Sequence, residues 1–176
     1  MGFVGPAHQE GVAMRKVLHF SSPADKYVCD AAVVWCYDNR FETVFRKLLK
    51  RIGVFHSDPI RIAGGARCLG SSGQESERRF VLEQIKRSMN LHSTRTVVLM
   101  LHSDCGAYGG LAAFQHDAGK EARNHSADLQ QATAFLKSAI PGLTVRAYFV
   151  DFEGVWEVEP EPEGQPAGRP LAAANA

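Results

Sequence analysis

Apolar runs alternate along the chain with stretches of helical spacing. Ala31-Ala32-Val33-Val34-Trp35-Cys36 is a continuous apolar run after a polar stretch, the signature of a strand buried on both faces of a parallel sheet. Phe41 to Ile52 follows, with apolar residues at 41, 44, 45, 48, 49 and 52; this spacing predicts an amphipathic helix closed by Gly53. Asp58-Pro59 leads into a short second strand, Ile60 to Ala63, ended by Gly64-Gly65. A Gly-Ser-Ser-Gly loop at 70–73 precedes a helix from Ser76 to Leu91, with Phe80, Val81, Ile85 and Met89 near one face. Thr96 to Leu101 (TVVLML) is the clearest buried strand. Helices are expected at about 107–115 and 121–139, then a break at Pro141-Gly142 and a fourth strand from Leu143 to Phe152.

Strands that alternate with helices predict an α/β fold, Rossmann-like and three-layered, with a central parallel sheet and right-handed crossovers. In such sheets ligands bind outside the carboxyl ends of the strands, where the order reverses. One domain is expected over 26–156, after a loose N-terminal arm at 1–25, which could hold a short helix. A disordered tail rich in Pro, Glu, Gly and Ala is expected at 157–176.

Composition narrows the partners. Twenty Lys and Arg against nineteen Asp and Glu give a net charge of +1, so neither nucleic acid nor an anionic membrane is an expected partner. No apolar run approaches the roughly 20 residues that span a bilayer, and the first 17 residues lack the apolar centre of a signal peptide. A cytoplasmic protein is expected. Its four cysteines, Cys29, Cys36, Cys68 and Cys105, should then be thiols or thiolates rather than disulfides.

Cys36 ends the first strand, His102 follows the third, and Cys105 lies three residues beyond it. If those two strands are neighbours, their ends lie about 4.8 Å apart and a turn at 102–105 returns the second sulfur to the same point. Two thiolates and an imidazole suit zinc, and three protein ligands leave a fourth tetrahedral position open, as in catalytic sites. Taken alone, each ligand also has an ordinary reading, a small buried thiol or a hydrogen-bonded histidine. Beside Cys36, Asp38 and Arg40 are spaced for a guanidinium to grip a carboxylate in a tight turn; the alternative is a helix N-cap at Asp38 beside an unrelated surface arginine.

Cys-x-Asp-x-Arg at the end of the first strand (Val33-Val34-Trp35-Cys36-Tyr37-Asp38-Asn39-Arg40) and His-x-x-Cys-Gly after a buried strand (Val98-Leu99-Met100-Leu101-His102-Ser103-Asp104-Cys105-Gly106) resemble the two motifs of the β-class carbonic anhydrases. Ile62-Ala63-Gly64-Gly65 resembles that family's Ala-Gly-containing segment, and the agreement covers roughly residues 30 to 152. The resemblance implies a four-stranded parallel sheet in the order 2-1-3-4. It implies a homodimer or higher homo-oligomer, zinc held by Cys36, His102 and Cys105, and a catalytic dyad of Asp38 and Arg40. It also implies reversible hydration of carbon dioxide to bicarbonate, a lyase (carbonate dehydratase) reaction. In some members the aspartate equivalent to Asp38 binds the zinc in a closed state. Three features depart from the family: no polar pocket residue can be placed in 1–26, Ala-Gly-Gly stands where the family has Ala-Gly-Asn, and the segment from Gly106 to the last strand is short.

Two other readings use the same residues. The scaffold could hydrolyse carbonyl sulfide or carbon disulfide, which are linear like carbon dioxide. Alternatively, Cys68 or Asp38 could complete a closed, non-catalytic structural zinc site. Cys29, seven residues before Cys36, falls at the other end of the strand and receives no role. Most of the remaining histidines are read as surface residues, any of which could shuttle protons, and Trp35 and Tyr37 as packing against helices.

Overall fold

The computed structural model describes residues 15–70 and 74–160. Five strands form one sheet in the order β2-β1-β3-β4-β5: β1 (Ala31–Trp35), β2 (Ser57–Arg61), β3 (Thr96–His102), β4 (Thr144–Val150) and β5 (Val155–Val158). The first four are parallel, and β5 runs antiparallel to β4. Helices α1 (Glu42–Arg51), α2 (Glu75–His92) and α3 (Ala118–Ala139) form the crossovers.

The continuous apolar runs have a direct cause. All five residues of β1 are fully buried, and alternate positions enter two different cores. Ala32, Val34, Val97, Leu99 and Leu101 pack with Val81 and Ile85 of α2 and Leu129, Ala132 and Leu136 of α3. Ala31, Val33, Trp35, Val98 and Met100 pack with Phe45, Leu48 and Leu49 of α1 on the opposite face. A period of two with both faces covered leaves no polar position to interrupt the run.

The fifth strand departs from the expected count of four. Val155 to Val158 falls partly in the segment expected to be a disordered tail from Glu157. Its four residues are too few and too exposed to carry an apolar signal, and the Tyr148 hydroxyl donates to Glu157 at 3.0 Å across the pair. The second strand covers 57–61 rather than 60–63; Pro59 is tolerated because β2 is an edge strand, where a missing N–H costs no ladder bond. The helix expected at about 107–115 is instead two 3₁₀ turns, Gly106–Tyr108 and Leu111–Phe114, separated by Gly109 and Gly110 at φ 87° and 67°. Tyr37 is exposed rather than packed, and so is Phe80. The expected arm and tail lie outside the described residues at 1–14 and 161–176; residues 15–25 form neither helix nor strand. No helix among the described residues is long and apolar enough to cross a membrane.

Candidate metal centre

Parallel pairing of β1 with β3, Ala32 to Val97 through Val34 to Leu99, puts the carboxyl ends of these two strands side by side. Cys36 leaves β1 as its next residue and His102 is the last residue of β3. The turn after His102 needs a left-handed residue, Asp104 at φ 52°, a conformation aspartate tolerates better than most side chains. That turn carries Cys105 back. One ligand atom from each of Cys36, His102 and Cys105 then lies within 4.8 Å of the others, and all three residues are buried.

The protonation of this group fits a cation. The His102 Nδ1–H donates to the Ser103 carbonyl at 2.8 Å, which fixes the tautomer and leaves the Nε2 lone pair facing inward. Nε2 is buried and has no hydrogen-bond partner among the described residues. Such an orphan is rare in folded proteins. Hydrogen bonding from the Cys105 thiol draws the Cys36 thiol well below its ordinary pKa, despite burial, while the Cys36 sulfur and burial push Cys105 up. A metal ion bound between the two sulfurs would displace the protons they carry. Burial works against the protonated His102 ring; the Cys36 sulfur, the Ser103 carbonyl and Asp38 work for it, and the balance is upward. Two sulfurs and an imidazole suit a borderline-soft divalent ion, and the residues present fit one.

Asp38 and Arg40 meet as well, and the Asp38 carboxylate serves both as a cap and as the partner of the Arg40 guanidinium. The Asp38 carboxylate caps the 3₁₀ turn Asn39–Phe41 by accepting the Arg40 backbone N–H at 2.9 Å. It also accepts from the guanidinium: Nη2 at 2.7 Å to Oδ2, and Nε at 3.1 Å to both oxygens. The guanidinium holds the carboxyl below the usual carboxylate range. Asp38 Oδ2 lies 3.9 Å from His102 Nε2.

Four contributors were not singled out from the sequence. Asp104 accepts from Arg40 Nη1 at 2.9 Å through its side chain and from Nη2 at 3.0 Å through its carbonyl. Glu121 of α3, almost fully buried, accepts the Asp104 N–H at 2.7 Å. Phe41 lies against the His102 ring at 4.9 Å, with Phe152 beyond it at 5.1 Å. The Cys-x-Asp-x-Arg motif marks only one of the two chain segments that hold the arginine, so spacing carried no signal for the others. Cys68 is not among the gathered ligands. Its thiol points to the Gly65 carbonyl at 3.7 Å, packs in the core on the α2/α3 side, and is pushed up to about 12 by burial.

Residues 27–160 match the family model described as "Putative carbonic anhydrase". An uncharacterised protein of Rickettsia bellii is 25% identical over 128 residues, covering 71% of this chain and 78% of the relative. Among solved structures, carbonic anhydrase from Streptococcus mutans superposes with a TM-score of 0.53 at 18% identity, over 80% of this chain and 89% of that one. The β-carbonic anhydrase isoform I of Trichomonas vaginalis gives 0.52 at 15% identity, over 79% and 87%. The family match spans most of the chain, and the solved structures share its sheet and crossovers: the chain belongs to a carbonic anhydrase family with the β-class fold.

Proposed function

We propose that this chain hydrates carbon dioxide reversibly to bicarbonate, with one zinc ion held by Cys36, His102 and Cys105. The supporting observation is the buried Nε2 of His102, without a hydrogen-bond partner among the described residues and grouped with two sulfurs, with an arginine-clamped carboxylate 3.9 Å away. When bound, zinc supplies Lewis acidity that brings the pKa of a water from 15.7 to about 7, a figure established for the three-histidine carbonic anhydrase centre rather than for this donor set.

The chain's own groups do the rest. Asp38, kept ionised by Arg40, accepts a proton from the attacking water and orients its lone pair. Arg40 and the cap bond to its own N–H fix the carboxylate in one rotamer, so that little ordering remains to be done in the transition state. The buried Phe41 ring packs against the His102 imidazole and gives that side of the centre an apolar wall. Two thiolates donate more charge than imidazoles, so this centre makes a weaker acid than an all-histidine one, and the clamped carboxylate offsets part of that difference.

Zinc content and stopped-flow hydration on one purified sample test the reading. A zinc ion that depends on Cys105, with fast hydration, both lost in Cys105→Ser, is the expected result. Asp38→Ala should keep the metal and lose turnover by about 10²–10⁴, the range of a general base. Zinc-loaded protein that turns over carbonyl sulfide or carbon disulfide but not carbon dioxide would replace the substrate and keep the centre. Zinc retention without activity on any of the three would make the site structural.

A further inference from the structure

At the opposite end of the sheet, a second trio of metal-ligand side chains converges. Cys29 sits just before β1, Asp58 lies on the edge strand β2, and His92 is the last residue of α2. One ligand atom from each falls within 4.8 Å of the others. The Cys29 thiol donates to Asp58 Oδ1 at 3.3 Å, and His92 Nδ1 donates to the same carboxylate at 2.8 and 2.9 Å. Cys29 is separated from Cys36 by seven residues, roughly 20 Å of extended chain, so the two groups are independent.

We propose that Cys29, Asp58 and His92 form a second divalent-metal site, of the zinc class, that fastens the amino-terminal end of the sheet. Tetrahedral zinc with bonds of about 2.0–2.3 Å sets its donor atoms roughly 3.3–3.7 Å apart. The Asp58 contacts to Cys29 and His92, at 2.8 to 3.3 Å, are within about half an ångström of that, and the three donor atoms lie within 4.8 Å of one another, so a cation enters with little backbone movement.

The surroundings are those of supported ligands. Ser88 donates to Asp58 Oδ2 at 2.6 Å and is itself hydrogen-bonded to Thr94 at 2.7 Å; Ser88 and Thr94 are both buried. This fixes the carboxylate from behind, as outer-shell partners do at metal sites. The Tyr27 ring stacks on His92 at 4.2 Å and orients the imidazole. The site lies at the carboxyl end of α2, where the helix dipole favours positive charge. The Asp58 and His92 side chains remain about one-fifth exposed, leaving a route in for an ion.

Binding balances simply. The Cys29 proton leaves to solvent and the imidazole proton moves from Nδ1 to Nε2. A thiolate, a carboxylate oxygen and a lone pair are thereby freed as donors. The same arrangement argues against a nucleophilic role for Cys29. The carboxylate, not the imidazole, faces the sulfur, and burial together with Asp58 pushes the thiol up to about 11, opposite to what activation requires.

Metal content of purified protein, titrated with zinc and then exhaustively dialysed, separates this site from the first. The wild type is expected to hold two ions per chain, Cys29→Ser one, Cys105→Ser one, and the double variant none. Cobalt substitution adds a spectroscopic reading: Cys105→Ser should keep a thiolate-to-cobalt absorption band that His92→Gln in the same background removes. Should Cys29→Ser unfold, as circular dichroism would report, His92→Gln takes its place in the count. A wild type holding one ion that vanishes in Cys105→Ser overturns the proposal and leaves the first site standing. Unchanged metal content in both Cys29→Ser and His92→Gln overturns it equally. Loss of the Cys29-dependent ion alone, with the Cys105-dependent ion retained, supports it whatever the activity of the first site.

Discussion

Arg40 and Asp104, 64 residues apart, tie together the two chain segments that carry the candidate ligands. Arg40 Nη1 donates to the Asp104 carboxylate at 2.9 Å and Nη2 to the Asp104 carbonyl at 3.0 Å, while the same guanidinium grips Asp38. One side chain thus registers the segment after β1 against the turn after β3. The ion pair itself is exposed on both sides, so its direct contribution to stability is small, about 0.2–1 kcal/mol. Its consequence is geometric: it sets how Asp38 faces His102.

Asp104→Asn tests that division. Asparagine tolerates the left-handed backbone at φ 52° and can still accept the Leu111 N–H, but it removes the charge that faces Arg40. Turnover should fall by about 10-fold with metal content unchanged, because a misplaced base loses rate without losing the ion. Thermal unfolding should shift by no more than an exposed pair is worth. Stopped-flow rates and melting curves on one preparation check both; an unchanged rate would remove Asp104 from the positioning of the dyad.

Glu121 supports the same turn from α3. Its carboxylate is nearly fully buried and accepts the Asp104 N–H, and burial pushes it up from the usual range. Glu121→Ala strands a buried amide at a cost of about 1–3 kcal/mol and loosens the turn between His102 and Cys105, so both unfolding temperature and metal affinity should fall. Glu121→Gln keeps an acceptor oxygen in place and should recover most of both. Metal competition with a chromogenic chelator distinguishes the two variants, and equal affinities would show that the turn stands without this bond.

Gly65 ends the Ala63-Gly64-Gly65 segment, and the backbone around it leaves no room for a side chain. A Cβ built there would lie 2.6 Å from the Met100 carbonyl oxygen and 2.9 Å from the Cys36 amide nitrogen, at a φ of 53°. Both neighbours are main-chain atoms of the strands that carry the candidate ligands, so neither can move aside cheaply. Gly65→Ala should cost about 2–5 kcal/mol, from left-handed strain and overpacking together, and should weaken metal binding by displacing Cys36. Urea unfolding and zinc stoichiometry measure the two effects; a variant as stable as wild type with full zinc would mean the segment after β2 shifts freely.

The contrast between Cys36 and Asp104 shows what the chain made legible. Cys36, His102 and Cys105 could be placed because continuous apolar runs locate the ends of buried strands, and the ends of neighbouring parallel strands coincide in space. Asp38 and Arg40 were readable because their contact is local. Asp104 and Glu121 were not, because their contacts cross 64 and 17 residues and depend on the path of the turns between them. β5 escaped for a different reason: four half-exposed residues leave no apolar period. Cys29 receives no role from the sequence because it lies at the strand end away from Cys36; its partners, 29 and 63 residues further along the chain, are brought to it only by the pairing of β2 beside β1 and the end point of α2. Candidate ligands carried by strand ends announce themselves; those assembled by packing do not.

His125 makes stability depend on pH in a direction that can be stated in advance. It is fully buried among the rings of Tyr108, Phe114 and Phe149, its Nδ1–H donates to the Glu121 carbonyl at 2.9 Å, and its Nε2 has no partner among the described residues. Burial lowers its pKa from 6.5 to about 4. Between those values the unfolded chain binds a proton that the folded chain refuses, so stability rises with pH across that window. The contribution is fully present above about pH 6.5 and is lost progressively as pH falls toward 4. The gap between the two values, at about 1.4 kcal/mol per pH unit, is worth about 3 kcal/mol. His125→Phe keeps an aromatic ring in the same cluster and removes the titration, so its stability should fall less on acidification. Urea unfolding of both proteins at pH 7.5 and 4.5 should show the wild type losing about 2–3 kcal/mol more than the variant over that interval. Equal losses would mean that the acid sensitivity of the fold lies elsewhere and that the His125 ring takes up a proton in the folded state.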